Sequence, residues 1–216
     1  MSVAPVPHGI VCLHDKSYKK LKFKENNKQE GFFMEFYHVS SYATDGQIYL
    51  PDNKPLQKYI TSFEALNVST YEYFVTEACN MIPSTIEDET GIRKSKWLCE
   101  LIFENIRKEK TEWAPRRMHS VFLCASLEEA QLFNKEFRGG TASVFKAIFE
   151  GNPHAFDMNV FTRAEEYLHQ HMSEIHEPVY EQLRFYALEY WERRRPLEKA
   201  EWLYEGRVKL KQLNIE

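Results

Sequence analysis

The feature that most limits what this chain can fold into is its last strand-like run, Trp202-Leu203-Tyr204, continuing through Gly206 into Val208-Lys209-Leu210. A strand is stable only when it is paired, and the candidate partners lie far upstream. Phe32 to Val39, Ser120 to Cys124 and Ser143 to Phe149 are the other runs in which aromatic and β-branched residues crowd together. Helical stretches separate them. Tyr71, Phe74, Val75 and Ala78 recur at helical spacing. Trp97, Leu98, Leu101, Ile102, Asn105 and Ile106 make one stripe with charges opposite. The spacing predicts an α+β class with one mixed or antiparallel sheet. That sheet joins segments near 32–39, 119–124, 143–149 and 202–212, with the helices of 56–112 inserted and packed on one side.

The punctuation agrees with this order. Residues 40–55 are rich in turn formers, among them Asp45-Gly46 and Pro51-Asp52-Asn53. Ser84 with Glu87 three residues on matches a capping box, and Ser126 opens a helix running to Phe137. Gly139-Gly140 turns the chain into the strand at 143–149, and helices follow over Thr162–His171 and Pro178–Arg193. Residues 1–30 are polar and lysine-rich and read as an N-terminal arm, with residues 31–216 as a single domain.

With 43% hydrophobic and 14% aromatic residues the chain can bury a core without staples. A formal charge of −4 argues against wholesale coating of nucleic acid. Positive charge is local instead: six lysines between Lys16 and Lys28, and the cluster Arg193-Arg194-Arg195. Met1 to Pro7 lacks the pattern of a secretory signal, and no apolar run approaches the roughly 18 residues that cross a bilayer. The scattered Cys12, Cys79, Cys99 and Cys124 form no CxxC pair and fit buried thiols in a reducing cytosol. The chain is expected to be cytoplasmic, with no metal. His169 and His171 point to different faces of a helix, and neither HExxH nor a phosphate-binding glycine loop occurs. Tyr186, Tyr190 and Trp191 share one helical stretch and read as core.

Three segments carry chemical content. Tyr37-His38-Val39-Ser40 sets a histidine among apolar neighbours near a strand end. Arg116-Arg117-Met118-His119-Ser120 leads cations and a hydroxyl into a strand that ends at Cys124-Ala125-Ser126, with Ala130 beyond. Ala200-Glu201-Trp202-Leu203 puts a carboxylate at the mouth of the final strand, behind a basic loop. Each has a structural reading too: a satisfied core histidine, surface arginines, a solvated glutamate.

In this order the three segments resemble the ADP-ribosyltransferase superfamily, nearest to branches related to tRNA 2′-phosphotransferases and to nucleic-acid-modifying bacterial toxins. The resemblance spans roughly residues 32–213. No glycine follows His38, and neither Ser-Thr-Ser nor Glu-x-Glu is present, which disfavours the polymerase and arginine-specific branches. The resemblance implies an enzyme that consumes NAD, with Glu201 and His38 catalytic. His38, Ser40, Arg116, Arg117 and Ser120 would then hold the cofactor. Arg193, Arg194 and Arg195 would take an anionic target, RNA or single-stranded DNA ahead of protein. It further implies a toxin or defence enzyme with a neutralising antitoxin partner. Cleaving the nicotinamide–ribose bond passes through an oxocarbenium-like state that a carboxylate stabilises. A histidine on a ribose hydroxyl orients the sugar, and guanidinium forks fit the pyrophosphate. The reading requires His38, Arg117 and Glu201 to converge on one cleft about a nanometre across, with Glu201 open to it. The alternatives are a non-catalytic nucleotide or nucleic-acid binding module, and an enzyme that removes a phosphate from RNA with NAD.

Overall fold

Strand β1, Phe36–Ser40, pairs along its length with β4, Ser143–Ile148, in antiparallel register from Phe36 opposite Ala147 to Ser40 opposite Ser143. The far edge of β4 pairs with β7, Val208–Gln212, which in turn carries the two-residue β2, Ile48–Tyr49. A second antiparallel sheet has the order β3, β6, β5: Val121–Leu123, Ala200–Tyr204 and His154–Asp157. This is a computed structural model that describes residues 34–49, 57–193 and 196–214. The described part of the expected domain is one unit, and the arm expected over 1–30 lies outside the described residues.

The α+β class holds, but the single sheet does not. The segments at 32–39 and 143–149 share one sheet with 208–212, whereas 121–123 and 200–204 belong to the other. The run read as one terminal strand is two strands, because the chain crosses between sheets at Glu205-Gly206-Arg207. Gly206 permits that crossing. A Cβ there would lie 2.8 Å from the Tyr204 ring, whose hydroxyl donates to the Glu150 carbonyl at 2.5 Å and whose face packs on Phe149. Gly206→Ala should therefore destabilise the fold by about 1–3 kcal/mol through overpacking. Thermal melts of Gly206→Ala in wild-type and Tyr204→Ala backgrounds check this: the added methyl should cost little once the ring is gone.

The helices are α1 Gln57–Phe63, α2 Tyr71–Tyr73, a π-turn at Phe74–Ala78, α3 Cys79–Met81, α4 Ile86–Thr90, α5 Lys94–Lys110, α6 Leu127–Arg138, α7 Met158–Gln170 and α8 Glu177–Glu192. The long helices α5, α7 and α8 pack on one another and cover one face of the β3–β6–β5 sheet. Their apolar stripes are wider than the sequence stripe of α5, since Cys99 and Phe103 are buried as well. The expected cap at Ser84 is not formed. The cap residue of α4 is Thr85, without a side-chain cap bond, because Ile86 already turns back onto the Pro83 carbonyl at 3.2 Å. Ser126 does cap α6, accepting from the Glu129 N–H at 3.1 Å. Asp157 caps α7 through the Asn159 N–H and also accepts from the N–H groups of Glu198 and Lys199. One buried carboxylate thus fixes the loop that leads into β6.

Candidate functional site

Among the described residues an isolated backbone bridge joins the two sheets. Tyr37 and Cys124 exchange both backbone hydrogen bonds, at 2.9 and 2.8 Å, in an isolated bridge between β1 and β3. The strands then diverge: β1 runs on to Ser40 while β3, antiparallel, runs back toward Val121. His38 fills the opening, with Nδ1 2.9 Å from the Phe122 carbonyl. Since Tyr37 presents its N–H and C=O toward β3, strand alternation points those of Val39 to the same side, past the last bridge. The strands therefore part toward the C-terminal end of β1 and the N-terminal end of β3.

The residues at those strand ends are polar. The Ser40 hydroxyl accepts from the N–H groups of Tyr42 and Ala43, which turns the chain away from β1. A 3-10 turn, Arg117–His119, delivers the buried Ser120, whose hydroxyl donates to the Arg116 carbonyl at 2.7 Å. Arg116 forks onto Glu205 just past β6, with Nε 2.8 Å from Oε1, and both side chains are partly exposed. His119 places Nε2 2.9 Å from both carboxylate oxygens of Glu64. Of the sequence candidates, His38 and Ser40 stand in the C-terminal part of β1, and Arg116 and Ser120 stand just before β3. The carboxylates Glu205 and Glu64 and the imidazole of His119 were missed. His119 stands inside the Arg116–Ser126 segment, but its pairing with Glu64 has no local signal.

Arg117 and Glu201 come together elsewhere. Along β6, Leu203 packs among the helices while Trp202 and Tyr204 pack between the sheets. Glu201 shares the face of Leu203 by the two-residue alternation. His38 shares the face of Phe36, which packs between the sheets. The two side chains therefore point to opposite faces, and the expected convergence of His38, Arg117 and Glu201 is not formed. Glu201 is 8% exposed. It is ion-paired to Arg117 and accepts a hydrogen bond from the Tyr190 hydroxyl at 2.7 Å. Arg117 donates from Nε to Glu100 at 3.0 Å, and its guanidinium carbon lies 3.9 Å from the Phe161 ring centroid. Burial works against the Arg117 charge. The carboxylates of Glu100 and Glu201 overcome it and hold the guanidinium still further above its ordinary range. Burial first, and then the charge of Glu201, pushes the Tyr190 phenol well up, so it stays a hydrogen-bond donor.

The remaining candidates are placed separately. Arg193 closes α8 in the left-handed region, φ 50°, the only non-glycine residue with positive φ among the described residues. Arg194 and Arg195 lie outside the described residues. The Cys124 thiol is pushed up to about 11 by burial and by Glu129, which leaves it protonated at neutral pH. Among the described residues no group of three or more His, Cys, Asp or Glu side chains is placed to hold a metal, and no helix is long and apolar enough to cross a membrane.

A split pair of antiparallel sheets, one of them backed by a three-helix layer, with a histidine at the split, defines the class of this α+β fold. The chain belongs to the family described as a protein of unknown function, DUF2441, whose profile matches residues 16–215. No curated protein matches the sequence.

Proposed function

We propose a revised form of the reading, since the cleft of His38, Arg117 and Glu201 that the resemblance requires is not formed: the split between β1 and β3 is the NAD site of an ADP-ribosyltransferase whose carboxylate is Glu205. One observation carries the reading: the strands bearing the three sequence motifs are successive neighbours, β1 bridged to β3 at Tyr37 next to His38, and β3 paired with β6. A carboxamide offers one acceptor and a pair of donors, which complement the N–H and C=O that Val39 turns toward the split. His38 beside it orients the ribose. Arg116 is half exposed, so a pyrophosphate can take its guanidinium from Glu205. The freed carboxylate then faces the cationic ribose. The C1′–nitrogen bond breaks with its electron pair leaving on nicotinamide, the target's nucleophile bonds to C1′, and Glu205 accepts the proton that the nucleophile loses. Glu201 is assigned to holding Arg117 in place and not to the reaction. The resemblance extends the proposal to a toxin or defence enzyme that acts on RNA or single-stranded DNA and is held in check by a neutralising protein.

A second reading rests on the pairing of Arg116 with Glu205, His119 with Glu64, and Arg117 with Glu100 and Glu201. A site whose acids and bases are already paired suits a binding module that holds a nucleotide without cleaving it. Nicotinamide release from NAD, with and without oligonucleotide or lysate acceptors, separates the two. The transferase releases nicotinamide and labels an acceptor. His38→Ala and Glu205→Gln should slow release by roughly 100-fold, the scale of one acid–base or orienting group, with circular dichroism unchanged. Binding of NAD without release selects the module, and neither binding nor release discards both.

A further inference from the structure

Away from the split, the outer edge of the second sheet carries a mixed aromatic and cationic surface. Trp113, in the turn after α5, is 61% exposed. Its ring lies 5.7 Å from that of His154 on the edge strand β5, at an interplanar angle of 47°. The guanidinium of Arg193 is 5.8 Å from the Trp113 centroid and 5.0 Å from that of Phe156, which is fully buried. Arg193 thus sits between an interior ring and a surface ring while its backbone adopts a conformation that glycine takes at lower cost. Single exposed hydrophobic residues are ordinary. A tryptophan backed by a guanidinium and flanked by an imidazole at a sheet edge is a different composition, because it joins a stacking face to a cation.

We propose that Trp113, His154 and Arg193 form a platform for single-stranded nucleic acid, with an unpaired base stacked on Trp113 and its phosphate beside Arg193. This names the target side of the function proposed above and rests on that reading for its purpose, but not for its geometry. Glu112 stands in the same turn with the opposite charge, so attraction of phosphate is modest here and stacking contributes more of the binding. Duplexes, whose bases are not free to stack on a protein ring, should bind poorly.

The test is fluorescence anisotropy of the full chain with labelled oligouridylate, oligothymidylate and a duplex of equal length, without NAD. Both single strands should bind ahead of the duplex. Trp113→Ala should weaken them roughly ten-fold or more, the scale of one base–aromatic stack, with Trp113→Phe recovering most of it. Arg193→Gly removes the cation while giving the helix end its preferred residue, so binding should fall, the slope of log affinity against log salt should drop by about 1, and the melting temperature should not fall. Trp113→Ala binding like wild type, equal binding of duplex and single strand, or displacement of the oligonucleotide by polyglutamate as readily as by unlabelled strand would each overturn the proposal. Preference for uridylate over thymidylate, or the reverse, tells RNA from DNA, and either order supports it. Because NAD is absent, failure here leaves nicotinamide release in place, and failure of the transferase reading leaves this binding in place.

Discussion

Replacing Arg117 with methionine should lower the melting temperature by about 10 °C, since breaking a buried ion pair costs about 3–5 kcal/mol and a domain this size shifts by about 2–4 °C per kcal/mol. The cost comes from what stays behind. Glu100 and Glu201 have side chains 11% and 9% exposed and share the Arg117 guanidinium between them. Without it, two carboxylates face one another in a site walled by Phe122, Phe161 and Tyr190. Two carboxylates left without their shared cation in a dry site are the source of the cost, more than the lost contacts of the arginine itself. Glu201→Gln should cost only about 1–2 kcal/mol, because the amide oxygen still accepts from Tyr190 and Glu100 still balances the arginine. Adding Glu201→Gln to Arg117→Met should restore part of the loss. Denaturant titrations measure all four proteins. A folded Glu201→Gln of ordinary stability that no longer releases nicotinamide would return Glu201 to the reaction.

What the sequence shows about the fold is what periodicity can carry. β1, β4, α5 and α6 are legible because a two- or 3.6-residue repeat runs through each. β2 is two residues long, and β5 begins directly after Gly151-Asn152-Pro153, a stop signal that hides the strand behind it. The crossing at Gly206 is illegible for another reason. A glycine inside an apolar run reads as a continued strand or a bulge, and only the Tyr204 ring against its Cα tells that the chain changes sheets. The site divides in the same way. His38, Ser40, Arg116 and Ser120 can be named from their segments, but alternation along β6 cannot say which face of a sheet carries the cleft. Glu201 looks like a strand-mouth carboxylate in sequence, and Arg117 beneath Phe122 turns it into a core residue. Partners such as Glu64 for His119 and Glu205 for Arg116 are set by long-range contacts that no local pattern announces.

Trp191→Ala should cause a loss as large as that of Arg117→Met but with a different signature. Trp191 is fully buried, meets the rings of Phe156 at 4.9 Å and Tyr190 at 4.7 Å edge to face, and donates Nε1–H to the Phe103 carbonyl at 2.7 Å. Truncating it opens a cavity where α5, α8 and β5 meet, at a cost of about 3–5 kcal/mol. Trp191→Phe should cost less, because most of the volume stays. No charged group loses its partner, so adding Glu201→Gln should restore none of this deficit, whereas it restores part of that of Arg117→Met. Trp191 also lies beside Tyr190, which holds Glu201, and two residues before Arg193. A loosened end of α8 should therefore weaken the proposed oligonucleotide binding in Trp191→Ala, while His38 keeps its bond to Phe122 and the proposed NAD binding is unchanged below the melting transition. Equal loss of NAD and oligonucleotide binding at a temperature where the variant is folded would show instead that α8 supports both sites as one unit.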